Sequence, residues 1–290
     1  MLHKIQNDEI EVGIQQKGAE LASIINRATG QEYMWEADPK YWGRHSSILF
    51  PFIGRLNQDQ LRIAGHSYPM KQHGFARNTD FRMSKQASDQ IIFELTSNEE
   101  SLEVFPYRFR LEAQYHLEGK TLFITYRVFN QDKQYIYFSL GAHPAFKCPL
   151  NEGEVRSDYQ LVFEQAETAD QHLIENGLRT GATELVLDND NKLPISDDLF
   201  DEDALIFKDL ASNFATLEHK NGEKVLKFGF EGFPYLGIWS KNSESPFVCL
   251  EPWFGVADHM DWKGDFKDKE GIVALAESEV FECVHSVEVM

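Results

Sequence analysis

Arg108-Phe109-Arg110-Leu111-Glu112-Ala113-Gln114-Tyr115-His116-Leu117 is the stretch on which the fold turns. Phe109, Leu111, Ala113, Tyr115 and Leu117 fall on one parity, and Arg108, Arg110, Glu112, Gln114 and His116 on the other. Side chains alternate between faces along a strand, so this pattern predicts an antiparallel strand with one face on a core and one in water. Glu118-Gly119-Lys120 then reads as a tight turn into a second strand, Thr121 to Phe129. Asn130-Gln131-Asp132-Lys133 turns again into Tyr135 to Leu140, completing a three-strand meander.

Working outward, Asn221-Gly222 between Ala215–His219 and Lys224–Phe230 is the strongest short hairpin signal in the chain. Tyr235–Ser240, Phe247–Leu250 and a last alternating strand, Glu279–Val289, continue the series. Upstream strands are expected at Glu9–Ile14 and Ile91–Thr96, and another at Tyr159–Glu164. About twelve or more strands without a long helix-period segment predict an all-β fold, a large antiparallel β-sandwich. Two regions break the alternation. Trp35–Arg77 is rich in aromatics, Gly, His and Arg, and too irregular for plain strands. Asn151–Asp209 is polar and acidic, with loops expected around Asp188-Asn189-Asp190-Asn191. No repeat, low-complexity tract or linker divides the chain, so residues 1–290 are expected to form a single domain.

Composition narrows the function. The chain is 42% hydrophobic and carries 22 Phe, 10 Tyr and 5 Trp, enough to fill a sizeable core. Its 47 acidic and 28 basic residues give a formal charge of −19, which repels nucleic acid and anionic membranes. It also argues against a large polyanionic substrate, although a local Arg or Lys cluster could still hold one phosphate. Cys148, Cys249 and Cys283 are odd in number and widely spaced, with no CxxC pair, which predicts buried reduced thiols and a reducing compartment. Met1 to Asp8 lacks the apolar stretch of a signal peptide, and no segment approaches the ~18 apolar residues of a membrane span, so a cytoplasmic protein is expected. No sequence feature sets the oligomeric state.

Two residues stand out chemically. His143 in Leu140-Gly141-Ala142-His143-Pro144-Ala145-Phe146 and Glu251 in Cys249-Leu250-Glu251-Pro252-Trp253-Phe254 each precede a proline within an apolar run. Proline disfavours helical backbone in its predecessor, so both are expected on extended chain at or near a strand end. A histidine there can be a structural one bonded to a carbonyl, but Gly141 admits close approach of a ligand and Pro144 fixes the exit. A carboxylate among Phe247-Val248-Cys249-Leu250 and Pro252-Trp253-Phe254 is costly to bury without partners, and desolvation would raise its pKa toward that of a useful base. Together the two can form a general acid/base pair.

Further candidates surround them. Leu49-Phe50-Pro51-Phe52-Ile53-Gly54-Arg55 ends in a guanidinium whose donors suit vicinal hydroxyls or a carboxylate. Lys71-Gln72-His73-Gly74-Phe75-Ala76-Arg77 carries His73. Trp239, Trp253 and Phe75 could offer flat apolar faces to a sugar ring or pack in the core. Asp203 closes an acidic run and adjoins the apolar Ala204-Leu205-Ile206-Phe207; such a run is ordinarily a solvated face. Gly-rich phosphate loops and a G-x-S-x-G elbow are missing. Asp188-Asn189-Asp190-Asn191-Lys192-Leu193 begins like a calcium loop but has Lys and Leu where an oxygen ligand and Gly belong. His66 and His73 do not make a metal-binding pair. Neither a metal nor a cofactor is expected.

Taken together these motifs resemble the aldose 1-epimerase (mutarotase) family, most closely its bacterial LacX-like branch. The marks are Phe50-Pro51-Phe52-Ile53-Gly54-Arg55, His73-Gly74-Phe75-Ala76-Arg77, Gly141-Ala142-His143-Pro144-Ala145-Phe146 and Leu250-Glu251-Pro252-Trp253, in that order, and the resemblance runs from about Glu9 to the last strand. It implies a large antiparallel β-sandwich, a monosaccharide substrate and no cofactor. It further implies that His143 protonates the ring oxygen and Glu251 takes the proton from the anomeric hydroxyl. His73 and Arg55 would lie near the ring oxygen and hydroxyls, and Asp203 falls where a hydroxyl-binding Asp aligns in galactose-type members. Those members carry His followed by two glycines, whereas His73 precedes Gly74-Phe75, so a galactose preference does not carry over and Phe75 could reshape that wall. Rival readings are a non-catalytic sugar-binding domain on the same scaffold and a glycoside hydrolase, which needs a second carboxylate roughly 5–9.5 Å from the first. Arg44, Arg55, Arg77 and Lys71 would supply a phosphate site only if the fold brought them together.

Overall fold

The computed structural model describes residues 1–290. Its architecture is almost wholly β. Nine strands form the large antiparallel sheet, in the spatial order β14 (Leu178–Pro194), β13 (Tyr159–Glu175), β16 (Phe214–His219), β17 (Lys224–Gly229), β21 (Val280–Val289), β10 (Thr121–Asn130), β9 (Phe109–Glu118), β8 (Gln90–Thr96) and β7 (Arg82–Gln86). A second sheet of five follows the order β15 (Leu205–Lys208), β18 (Tyr235–Trp239), β19 (Phe247–Phe254), β12 (Leu140–Lys147) and β4 (Ser46–Leu49). At the N-terminus β1 (Leu2–Gln6), β2 (Ile10–Gln15) and β3 (Glu20–Asn26) make a three-stranded sheet. Two short pairs complete the set: β5 (Gln60–Ile63) with β6 (His66–Pro69), and β11 (Ile136–Phe138) with β20 (Val273–Leu275). The one α-helix, α1 (Glu99–Val104), starts at a reciprocal Asn98/Ser101 cap.

The period-two stretch behaves as its alternation predicts. Phe109, Leu111, Ala113, Tyr115 and Leu117 are buried in β9, while the residues between them are partly exposed. The turn at Glu118–Thr121 pairs β9 with β10, and Asn221-Gly222 joins β16 to β17. Phenylalanines fill the space between the two large sheets: Phe146 of β12 meets Phe228 of β17 at 5.9 Å, and Phe163 of β13 meets Phe207 of β15 at 6.4 Å. The main apolar cluster, of 64 residues, runs from Ile5 to Val289.

The structure corrects three expectations. The third strand of the meander does not join the first two, because β10 takes β21 as its other neighbour and β11 pairs with β20. Much of the polar Asn151–Asp209 region is the long β13–β14 hairpin rather than loop. Four register shifts scramble the alternation there, and most of β14 faces water at the sheet edge, so neither periodicity nor hydrophobicity marks it as strand. The Asp188–Asn191 stretch lies inside β14, with Asn189 at φ 51°. His143 and Glu251 are extended as expected, but sit within β12 and β19 rather than at their ends. Pro144 and Pro252 interrupt the ladder instead of ending the strands. Pairing stops at Gly141↔Trp253 and resumes in the same register at Ala145↔Cys249, because neither proline has an N–H to give.

Candidate active site

Alternation within the five-stranded sheet decides which side chains meet. Leu140, Ala142 and Phe146 of β12, and Val248 and Leu250 of β19, join the main core. The opposite parity, Gly141, His143 and Ala145 facing Cys249, Glu251 and Trp253, lies on the outer face. Carrying the β12–β19 register through the proline gap sets His143 directly opposite Glu251. Their side chains meet at 3.3 Å, His143 Nε2 to Glu251 Oε2, with side-chain exposures of 10% and 2%. Contact without hydrogen-bond alignment leaves Oε2, and His143 Nδ1, without a partner.

This outer face is the floor of a cleft of about 290 Å³ lined by His143, Glu251, Trp239, Trp253, His73 and Asp203 among others, a volume near the lower end of the ~300–1,000 Å³ usual for small-molecule pockets. The Trp253 indole lies across two neighbouring strands. A Cβ on Gly141 would come within 2.6 Å of its ring, and one on Gly237 equally close, so both glycines are what let the indole lie flat. Its Nε1 donates to Ala142 O at 3.2 Å. The His143 ring stacks on Trp42 at 4.6 Å and meets the Trp239 ring edge-on at 5.6 Å, which fixes its orientation.

The electrostatics follow from this enclosure. Burial, then the nearby Arg77, pulls His143 down to about 3. Burial, then the neighbouring Asp203 carboxylate, pushes Glu251 well above the usual carboxylate range, with Trp253 pulling weakly the other way. Each group is thus shifted toward its neutral form, and the two titrate as a coupled pair. His73 is likewise kept neutral, by burial and then Arg77. Its Nδ1 accepts from the Gly54 N–H at 3.1 Å, which assigns the proton to Nε2 and makes that atom a donor. Its ring lies edge-on to His143 at 5.8 Å.

Asp203 lies on the lip. It is an exposed residue at φ 130°, a strained region for a non-glycine, and its Oδ1 accepts from the Ala204 N–H at 2.7 Å. Burial of the carboxyl still pushes it up, against the lowering by that N–H and by Lys241. Arg55 does not line the cleft. Its guanidinium is turned to Asp59, at 2.9 and 3.2 Å, and to Asn176 O at 3.2 Å, at the tip of the β13–β14 hairpin. That tip, still paired between β13 and β14, supplies Ile174 and Gly177 to the cleft wall. Phe75 faces the core, packed on Phe50, Phe105 and Phe109, and shapes no wall of the cleft.

Sequence reasoning did not assign Trp42, Lys241 or the hairpin tip to the site, and named Arg77 without placing it there. Trp42 and Arg77 both lie in the irregular aromatic, basic segment, which was the available signal; nothing marked Ile174 or Gly177. Donors of metal-binding type do meet in the cleft, since His143, Cys249 and Glu251 bring a nitrogen, a sulfur and a carboxylate oxygen within 4.8 Å of one another. Burial, then Glu251, pushes the Cys249 thiol well above its usual range.

Comparison with known proteins agrees with this geometry. The sequence model of one family, described as "Aldose 1-epimerase", matches residues 1–271. The chain belongs to the aldose 1-epimerase family. It is thereby a carbohydrate epimerase by family, and its all-β architecture is that of galactose mutarotase-like structures. It is 33% identical over 287 residues to the chromosomal protein LacX of Lactococcus lactis subsp. lactis, covering 95% of each chain. A galactose mutarotase related enzyme from Lactobacillus acidophilus superposes with a TM-score of 0.95 at 33% identity, over 100% of this chain and 97% of that one. A galactose mutarotase-like protein from Lactobacillus casei gives 0.94 at 34% identity, over 100% of both. As in the sequence, so in the fold, no helix of this family member is long and apolar enough to cross a membrane.

Proposed function

We propose that the protein interconverts the α and β anomers of an aldohexose by acid/base catalysis, with His143 and Glu251 as the pair. The observation that carries this is the cross-strand placement of the two groups, 3.3 Å apart and buried, over a floor of indole. Mutarotation requires one proton to be delivered to the ring oxygen and one removed from the anomeric hydroxyl. A sugar seated on Trp253 with its ring oxygen toward His143 and its O1 toward Glu251 meets both needs. Hydrogen bonds from the sugar hydroxyls favour the carboxylate form of Glu251 and pass its proton to His143. His143 then protonates the ring oxygen as Glu251 accepts the O1 proton, and the ring opens to the aldehyde. Rotation about C1–C2, closure from the other face and the reverse transfers restore both residues. His73 Nε2–H, Asp203 and the Trp239 ring are placed to bind the sugar. Arg55 acts on this reading by holding the hairpin tip rather than by touching the ring.

Three free buried thiols suit a reducing compartment, which supports a cytoplasmic setting, and the continuous apolar cluster supports a single working domain. Polarimetry of freshly dissolved α-D-glucose and α-D-galactose tests the reaction directly. Wild-type protein should speed equilibration over a buffer blank, and Glu251→Gln should lose about 10²–10⁴-fold of that acceleration. Glu251→Gln at near wild-type rate would remove the base from its role. Sugar binding without turnover in wild type would favour the binding-domain reading.

A further inference from the structure

The proton donor of this cleft lacks the support that a histidine acid ordinarily has. His143 turns Nε2 to Glu251 at 3.3 Å, but its Nδ1 is buried without a hydrogen-bond partner. A carboxylate or carbonyl on the second nitrogen usually orients such a ring and steadies the imidazolium it becomes. No carboxylate stands behind this one. Burial, then Arg77, and Arg44 oppose a charge on it, while its own backbone carbonyl, too poorly aligned for a hydrogen bond, pulls the other way. His73, edge-on at 5.8 Å, is itself kept neutral by burial and then Arg77. The nearby Cys249 thiol is kept protonated by burial and then Glu251, and brings no charge. Support along the edge of the ring is therefore thin where mutarotation needs the ring protonated.

The face of the ring is supported instead. The Trp42 indole stacks on His143 with centroids 4.6 Å apart and planes 23° from parallel. An aromatic face within about 6 Å attracts a cation, most strongly for Trp and more so where water is excluded. Trp42 is built to keep that geometry. Its ring packs on Phe247 at 5.9 Å, on the same strand as Glu251, and crosses Trp239 at 5.8 Å. Its backbone is tied on both sides: the N–H donates to Asp38 O at 3.0 Å, and the O accepts from the Trp35 Nε1–H at 2.9 Å. Core packing alone does not account for the residue, which is half-buried, lines the cleft and lies outside the main apolar cluster. We propose that Trp42 is the positioning residue of the proton donor, its indole face aligning the His143 ring with Glu251 and stabilising the imidazolium formed in turnover. This rests on the mutarotase reading and adds to it the group that lets a buried, neutral histidine carry the proton. Because resting His143 is uncharged, loss of the face should raise the barrier rather than weaken sugar binding.

Polarimetry with α-D-glucose reads the effect. Trp42→Leu should lose about five- to thirtyfold in kcat at nearly unchanged KM, and Trp42→Phe only part of that. A merely structural loss is separated by replacing Trp42 with tryptophans bearing successively more ring fluorines, which nearly keep the shape while draining the π face. Along that series kcat should fall stepwise, with KM and thermal unfolding unchanged. A flat series, a loss confined to KM, or Trp42→Leu at wild-type kcat would each overturn the proposal. The ring nitrogens of His143 give a second readout that needs no turnover. Followed by NMR in histidine-labelled protein on acidification from about pH 7 to 4, they should begin to shift at lower pH as fluorines are added, because a poorer face favours the imidazolium less. If wild-type protein turns over no sugar, the mutarotase reading itself fails and this titration decides the stack alone. An onset displaced along the series would uphold the stabilised imidazolium; a fixed onset would overturn it.

Discussion

Removing the carboxylate of Asp258 tests how the wall of the cleft is held. Asp258 and Lys269 form an ion pair at 3.1 Å with both side chains 2% exposed. Asp258 Oδ2 also accepts from the Asn57 N–H at 2.8 Å, and Lys269 Nζ donates to Val256 O at 2.5 Å. Ala257, between Val256 and Asp258, lines the cleft. Asp258→Ala therefore strips one buried ammonium of its counter-charge and one buried N–H of its acceptor. Breaking half of a buried pair costs about 3–5 kcal/mol, and an orphaned buried donor adds to it, so a loss of about 4 kcal/mol or somewhat more is expected. The deficit should depend on pH. Burial already pulls Lys269 down to about 8, although Asp258 raises it. A lysine whose folded pKa lies below its unfolded value binds fewer protons when folded, so stability rises with pH from the folded pKa up to about 10.4. Without Asp258 that window opens lower, and the variant should recover part of its loss between about pH 7 and 9. Adding Lys269→Met to Asp258→Ala removes the stranded charge and should restore most of the stability. Urea unfolding of wild type, Asp258→Ala and the double variant at two pH values reads all of this. A single variant losing under about 1 kcal/mol, or a double variant no more stable than the single, would refute the reasoning.

Two further outcomes follow from the site. With His143 held down at about 3, kcat/KM should not fall on acidification from about pH 7 to 5. A limb near the ordinary histidine value of about 6.5 would show that burial does not hold His143 neutral. Arg55→Ala should release the hairpin tip, which Arg55 holds through Asn176 O, and raise KM several-fold with a smaller change in kcat. Loss of kcat with KM unchanged would instead place Arg55 on the reacting atoms.

The sandwich was legible wherever one face of a strand meets water, as in β9, because alternation records a one-sided core. It was illegible in the β13–β14 hairpin, where bulges shift the register and both faces are largely wet. His143 and Glu251 were legible because a titratable residue ahead of proline in an apolar run is expensive unless it has work to do. Their pairing, though, is set by register: only the shared β12–β19 ladder makes them opposite. Arg55 was misplaced because a guanidinium's reach exceeds what spacing conveys; Asp59, four residues on, takes it away from the cleft. Phe75, left open between a cleft face and the core, packs in the core, since the same segment turns His73 to the cleft and Phe75 away from it.

The irregular hairpin also bears on how these molecules behave in a crowded solution. A nine-stranded open sheet ends in two free edges, β14 and β7, and an open edge invites a strand from another molecule. β7 is short, exposed throughout and carries Arg82 and Lys85. β14 is long enough to template a neighbour, but its four shifts against β13 deny an incoming strand a continuous run of matched partners, and Glu184, Asp188 and Asp190 add repulsion. The distortion that carries a tip to the cleft thus also keeps the sheet from growing by one molecule at a time.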